Sequence, residues 1–201
     1  MESHYHLTIA HYLLVFLLAS SYMQTSTKHC FCLAGGELSS CVKTNSCIDE
    51  ERRALLVFKR HLVDPSGRLS SWVGHDCCRW EGISCDNLTG HVVKMDLRHP
   101  YLHSISDEEL DVWAYEKAQL GGEIPPSLGN LSTLHFLDLG WNYGLTSKNL
   151  NWLSRLSSLK YLDLCGMNLG TTGVNCVYAV NMLLSLAELH LSNTGLKGQI
   201  P

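Results

Sequence analysis

Leucines recur at fixed steps through the second half of the chain. Leu131, Leu134, Leu137 and Leu139 lie in LSTLHFLDLGWN. Leu156, Leu159, Leu162 and Leu164 lie in LSSLKYLDLCGM, and Leu183, Leu186, Leu189 and Leu191 lie in LLSLAELHLSNT. These sets start 25 and then 27 residues apart. A second marker repeats independently: LGGEIP ends at Pro125 and LKGQIP at Pro201, about three periods later. In each set the LxL pair alternates, so both leucines face one side of a short strand and their neighbours face the other. The earlier leucines step by three, which predicts a helical or 3₁₀ turn returning along the outer face. One coil cannot bury its own leucines. Coils must therefore stack into a single apolar column, with parallel strands along one face of an α/β solenoid.

The pattern extends upstream. In HVVKMDLRH, residues 91–99, Val92, Met95 and Leu97 align with Leu134, Leu137 and Leu139 as a degenerate first coil. An insert at 100–119, acidic in the middle and carrying Trp113 and Tyr115, follows as a protruding loop with a helical turn expected near 107–115. Asn142 closes its coil where a side-chain amide can bond backbone groups of adjacent turns. Met167 and Thr194 take that place in the next coils, with Asn168 one later and Asn193 one earlier. Before the repeats, DEERRALLVFKRHL puts Ala54, Leu55, Phe58 and Leu62 on one helical face. Acidic residues lead and basic ones follow, in keeping with the helix dipole. Asp64, Pro65, Ser66 and Gly67 stop the helix. This helix can cover the open end of the first coil.

Composition narrows the class. The chain has 201 residues, 45% apolar and 17% charged, with a net charge of −4. That suits one folded domain, and the acidic balance opposes nucleic-acid binding. Residues 9–19, IAHYLLVFLLA, followed by Ser20 and Ser21, read as the apolar region of a signal peptide, although no Lys or Arg precedes it. We assign 1–27 to that signal and 28–46 to a short Cys-containing leader. No second apolar run approaches ~18 residues, so no membrane anchor is expected in this chain.

A secreted chain directs its nine cysteines toward disulfides. Zinc would want CxxC pairs, and CFC and CC are poor chelating spacings. In DCCRWEGISC the adjacent Cys77 and Cys78 do not suit a bond to each other. Cys85 is near Cys78 across a turn at Gly82, and Cys47 is the simplest upstream partner for Cys77. Nine is odd, so at least one thiol stays unpaired within the monomer. Cys30, Cys32, Cys41, Cys165 and Cys176 have no assigned partner. Trp80 supplies apolar area against the first coil.

Several motifs carry a family resemblance. C-x-x-x-E-R-x-A-L-L-x-F-K from Cys47, DPSGRLSSW, DCCRWEGISC and TGHVVKMDL resemble the N-terminal cap of plant leucine-rich-repeat proteins. LxGxIPxxLGNL, residues 120–131, resembles their extracellular repeat, and WAYEKAQLGGEI, residues 113–124, is similar to the receptor-like proteins. The resemblance implies a leucine-rich-repeat solenoid with a disulfide-linked helical cap at 47–90 and about four repeats over 91–201, the last ending mid-repeat. It implies cap bonds Cys47–Cys77 and Cys78–Cys85. It also implies a non-catalytic surface receptor, often in defence, that binds an extracellular peptide or protein ligand and pairs with a receptor-kinase co-receptor. Such proteins act at the plasma membrane; a chain truly ending here would be secreted. The alternative is a secreted inhibitor of the polygalacturonase-inhibitor type, or a truncated non-functional remnant.

A search for catalysis finds no GxSxG, P-loop, HExxH or GxGxxG. His99 and His103 are four apart, but Pro100 between them opposes a helix. We expect no enzyme, no cofactor and no metal site. The outward strand positions instead form columns: Lys94, Phe136, Tyr161 and Glu188, then Asp96, Asp138, Asp163 and His190. Arg98, Gly140, Cys165 and Ser192 follow, then His99, Trp141, Gly166 and Asn193. The candidate ligand-binding set is Lys94, Asp96, Arg98, Phe136, Asp138, Trp141, Tyr161, Asp163, Glu188 and His190. Phe136, Trp141 and Tyr161 are the sticky members; against this, the aromatics can pack on each other and the aspartates can be structural. Asn87-Leu88-Thr89 and Asn130-Leu131-Ser132 are glycosylation sequons.

Overall fold

The structure, a computed structural model, describes residues 46–100, 112–170 and 175–196. The signal peptide expected at 1–27, the leader expected at 28–46 as far as residue 45, and the insert over 101–111 lie outside the described residues, as does the sulfur of Cys176. Helix α1, Asp49–His61, opens with Asp49, Glu50 and Glu51 and closes with Lys59, Arg60 and His61. Leu62, expected on its apolar face, has extended geometry and caps the helix instead. Strands β1 (Leu62–Val63), β2 (Ile83–Cys85) and β3 (Val92–Asp96) complete the cap and the first coil. A short helix α2, Val112–Lys117, occupies the end of the insert and overlaps the turn expected near 107–115, of which residues 107–111 lie outside the described residues. The coils then supply β4 (Gly121–Glu123), β5 (Phe136–Asp138), β6 (Gly144–Thr146) and β7 (Tyr161–Asp163). Helix α3, Asn175–Asn181, and β8, Glu188–His190, end the described chain.

The main sheet has the order β2-β3-β5-β7-β8. β3, β5, β7 and β8 are parallel, with Met95, Leu137, Leu162 and Leu189 in register. β2 runs antiparallel to β3 and extends the sheet into the cap. Leu131 and Leu156 cap 3₁₀ turns, Pro126–Asn130 and Asn151–Arg155, on the far side of the coil, and the N–H groups of Leu134 and Leu159 donate back to them. A second sheet, β1-β4-β6, was not anticipated; glycine-bearing GGE and GLT lack the alternating apolar pattern of a strand. Gly122 stands at φ 104°, and an added Cβ would lie 2.3 Å from His61 O, so only glycine lets β4 meet β1.

The leucine spine is dry. Leu134, Leu137, Leu139, Leu159, Leu162 and Leu164 have no exposed surface. Each such side chain contributes ~2 kcal/mol of burial. Leu189 continues the row yet is 40% exposed, because no further coil covers β8 among the described residues. At the other end Phe58, Trp72 and Trp80 plug the column. The two indoles stack at 5.4 Å, and their Nε1–H groups donate to Glu81 O and Val73 O.

Two polar side chains in the cap clamp it to the coils, and neither announces itself in the sequence. Glu51 is buried on α1; its carboxylate accepts from Val92 N–H at 2.7 Å and Thr133 Oγ1 at 3.1 Å, and meets His91 Nδ1 at 2.9 Å. Arg68 donates to Ala118 O, Asn142 Oδ1, Leu97 O and Arg98 O at 2.6 to 3.0 Å. Burial holds its guanidinium below the usual arginine range. Asn142 completes the joint, donating to Leu97 O and Leu139 O and accepting from Leu120 N–H.

Arg68→Ala strands these acceptors, and we expect it to cost on the order of 3 kcal/mol and lower the Tm by roughly 6–12 °C. Arg68→Lys, lacking the planar fork, should restore less than half. Thermal melts of the three proteins check this; an unchanged Tm in Arg68→Ala would remove the clamp.

Candidate functional site

Alternation along the parallel strands turns every second side chain to the open face of the main sheet, and the register stacks them in rows. Lys94, Phe136, Tyr161 and Glu188 form one row; Asp96, Asp138, Asp163 and His190 form the next. Phe136 and Tyr161 are half-buried because their rings lie on each other, with centroids 4.3 Å apart and planes 5° apart. Lys94 Nζ sits 4.7 Å from the Phe136 ring and 3.1 Å from Asp96. His190 tilts against Tyr161 at 5.4 Å. The result is an aromatic rail running across the strands, with a Lys–Asp pair at one end and Glu188 and His190 at the other.

Asp138 and Asp163 point the same way but are buried. Each carboxylate folds back onto the backbone N–H two residues later, Gly140 at 2.9 Å and Cys165 at 2.8 Å. Arg98 covers both, donating from Nε to Asp138 at 2.8 Å and from Nη2 to Asp163 at 3.0 Å and Tyr161 Oη at 3.1 Å. The fit at Gly140 is close, since a Cβ there would lie 2.8 Å from the Asp163 carboxylate. Burial pushes the Asp138 carboxyl up, against the pull of Gly140 N–H and Arg98. Burial and the two carboxylates raise the Tyr161 phenol. Arg98 is lowered by burial but held above its usual range overall by Asp138, Tyr161 and Asp163. This network fixes Tyr161 from below.

A second aromatic group lies at the edge where the strands end. Trp141 takes a left-handed φ of 63°, a conformation unusual for a bulky residue, and meets Tyr143 edge-on at 6.2 Å. Gly166 and Asn193 have φ of 72° and 57° at the equivalent turns. His99 is buried there, its ring 4.3 Å from Tyr115 and its Nε2 3.0 Å from Tyr115 O. A neutral Nε2–H donates in that geometry, and burial lowers the His99 pKa. Trp113 on α2 is exposed, with Lys117 Nζ 3.6 Å from its ring centre.

The sulfurs resolve the cap. Cys47 joins Cys77 and Cys78 joins Cys85, with Cα separations of 5.2 and 5.4 Å. The sulfurs of Cys47, Cys77 and Cys78 cluster within 4.8 Å, but disulfide bonding consumes all three as metal ligands. Cys165 keeps a buried thiol, raised by burial, which accepts from Ser192 N–H. Clefts flank these elements. One, of about 270 Å³, lies between α1 and the 3₁₀ turns, and another, of about 220 Å³, lies beside Tyr143.

Of the ten candidate binding residues, nine therefore share one sheet face. Trp141 stands apart at the turn. Asp138 and Asp163 are engaged by Arg98 and the backbone, leaving Lys94, Asp96, Phe136, Tyr161, Glu188 and His190 as the accessible set. Met167 and Thr194 occupy the buried place of Asn142, while Asn168 and Asn193 turn outward. Arg68 and Glu51 were not visible as structural centres.

Stacked leucine coils, a parallel sheet and a disulfide-closed helical cap define a leucine-rich-repeat protein. The leucine rich repeat N-terminal domain family matches residues 48–86. The chain is 32% identical to receptor-like protein EIX1 and 41% identical to receptor-like protein EIX2, both of Solanum lycopersicum, over 77% and 65% of its length. Its sequence is similar to the plant leucine-rich-repeat receptor-like proteins. It spans only 19% and 12% of those two relatives. Among solved structures, a chain of the BIR3–SERK2 complex of Arabidopsis thaliana superposes with a TM-score of 0.51 at 28% identity, covering 69% of this chain and 65% of that one. A plant ice-binding protein superposes at 0.53, also 28% identical, covering 72% and 40%. No helix of the described residues is long and apolar enough to cross a membrane.

His99 gives a pH prediction. A depressed folded pKa contributes stability that is present above the unfolded value of about 6.5 and is lost as pH falls through the folded value. Lowering pH from 7.5 to 5 should therefore destabilise the wild type more than His99→Gln. Denaturant melts at both pH values test this, and equal losses would discharge His99.

Proposed function

We propose that this chain is the recognition part of a plant cell-surface receptor-like protein, binding an extracellular peptide or protein ligand on the open face of its main sheet. The rail of Phe136 and Tyr161 carries this reading. Aromatic side chains anchor protein interfaces, and this pair is held rigid before any partner arrives, which lowers the entropy cost of binding. Charges of both signs flank the rail, giving a ligand polar contacts at its rim. The reading assigns no catalytic residue and no cofactor. Two disulfides in the cap support passage through the secretory pathway to the extracellular side of the plasma membrane. Kinship with receptor-like proteins supports a role in defence signalling. The complex of BIR3 with SERK2 supports a second protein partner, a place we give to a receptor-kinase co-receptor.

Phe136→Ala and Tyr161→Ala test the rail. The stack contributes about 1 kcal/mol, so both variants should keep the circular dichroism of the wild type and lose only a few degrees of Tm. Biolayer interferometry against purified microbial secreted proteins and synthetic peptide hormones reads binding, with a polygalacturonase as the rival target. A ligand of the wild type should bind each variant at least about tenfold more weakly, or 1.4 kcal/mol. Equal affinity in both variants removes the rail from the site. Inhibition of the polygalacturonase would favour the secreted-inhibitor reading.

A further inference from the structure

The cleft between α1 and the 3₁₀ turns has an occupant written into its own lining. Asn130 and Ser132, the two sequon residues that specify N-glycosylation, both line it. Ile48 and Glu50 from the start of α1, His91 from the lead-in to β3, and Arg155 from the 3₁₀ turn of the following coil form its other walls. We propose that the first N-acetylglucosamine attached to Asn130 is seated in this cleft and braces the cap to the first coils. In forming that bond, Asn130 Nδ2 loses a proton and takes the anomeric carbon of the sugar from a lipid-linked oligosaccharide diphosphate. The lipid diphosphate leaves with the electron pair of the broken bond.

Size and chemistry both suit the occupant. At about 270 Å³ the cleft falls below the range of drug-sized pockets and matches a group of single-ring size. Ile48 offers apolar surface to the ring, while Glu50, His91 and Arg155 offer acceptors and donors to its hydroxyls and acetamide. The walls are fixed. Glu51 holds His91 at 2.9 Å, and a Cβ on Gly129 would lie 2.7 Å from Trp152 O, so the turn bearing Asn130 is packed tightly on the next coil. Asn130 is half-buried at the rim. Asn87 is the internal control: it is exposed, in a turn closed by Thr89 on Asp86, and lines neither cleft. The same modification should therefore stabilise at one site and not at the other.

The proposal rests on secretion and not on what the sheet face binds, so binding by the rail variants leaves it untouched. The chain is expressed in plant cells with complex glycan processing blocked, and intact mass reports occupancy. Ser132→Ala and Asn130→Gln should lower the Tm by about 3 °C or more, whereas Ser132→Thr, which keeps the sequon, and Asn87→Gln should match the wild type. Endoglycosidase H, which leaves one sugar, should preserve the wild-type Tm. It should also release the Asn130 glycan of the native protein at least tenfold more slowly than that of Asn87, a readout that needs no variant. An unmodified Asn130, equal Tm losses at the two sites, equal release rates, or a trimmed protein that melts like Ser132→Ala would each overturn the seating.

Discussion

A layer of leucines in a solenoid is stable only when covered from both sides. Leu137 and Leu162 are fully buried because coils lie before and after them, while Leu189, in the same row, is exposed for want of a following layer among the described residues. That dependence explains the front of the molecule. β3 would present Val92 and Met95 to water without something broad and apolar across them. Phe58, Trp72 and Trp80 supply it, and the two disulfides keep α1 and the Trp-bearing segments from leaving. A small cap has little apolar area of its own, so covalent closure does what a larger core would do elsewhere.

The same stacking that hides leucines also hides backbone groups, which must be bonded. Within the regular sheet the ladder does this. At the joint between cap, first coil and insert the ladder fails, and side chains take over. Arg68 reaches four acceptors from three segments, Asn142 bridges two turns, and Glu51 receives Val92 N–H where the strand begins. Further along, Thr194 Oγ1 bonds Leu191 O and Leu169 N–H reaches Thr194 O, so the turn closes without an asparagine. Polar clamps thus gather where the repeat is interrupted.

How much of this was legible follows from periodicity. The leucine spacing set the strands, their register and the rows on the open face, because alternation and repeat length are written in single residues. The cap bonds followed from the resemblance and the cysteine spacing. Arg68 and Glu51 were opaque: one cation in DPSGRLSSW and one acid at a helix start look like ordinary solvated charges, and only long-range packing, 74 residues apart for Arg68 and Asn142, gives them partners. Asp138 and Asp163 were placed on the right face but not recognised as buried, because the side chain that covers them, Arg98, comes from a different coil. The second sheet escaped because its strands are two or three residues long, and β4 and β6 are built partly on glycine, with no alternation to read.

The network in which half-buried Arg98 covers the buried Asp138 and Asp163 gives the open face its character. Two carboxylates held by one guanidinium and by backbone N–H groups cannot rearrange cheaply, and Tyr161, bonded to the same guanidinium, is fixed with them. The rail is therefore a stiff surface whose step is the strand spacing, about 4.8 Å, whereas an extended chain rises about 3.3 Å per residue. Under the proposed function, a peptide laid along the rail would advance roughly three residues for every two coils. Only some of its side chains could then meet an aromatic ring while others fall between rows. Such a mismatch favours recognition through a few spaced anchors over continuous pairing. That fits a face where the stacked rings are concentrated on two coils and the polar contacts lie at either end.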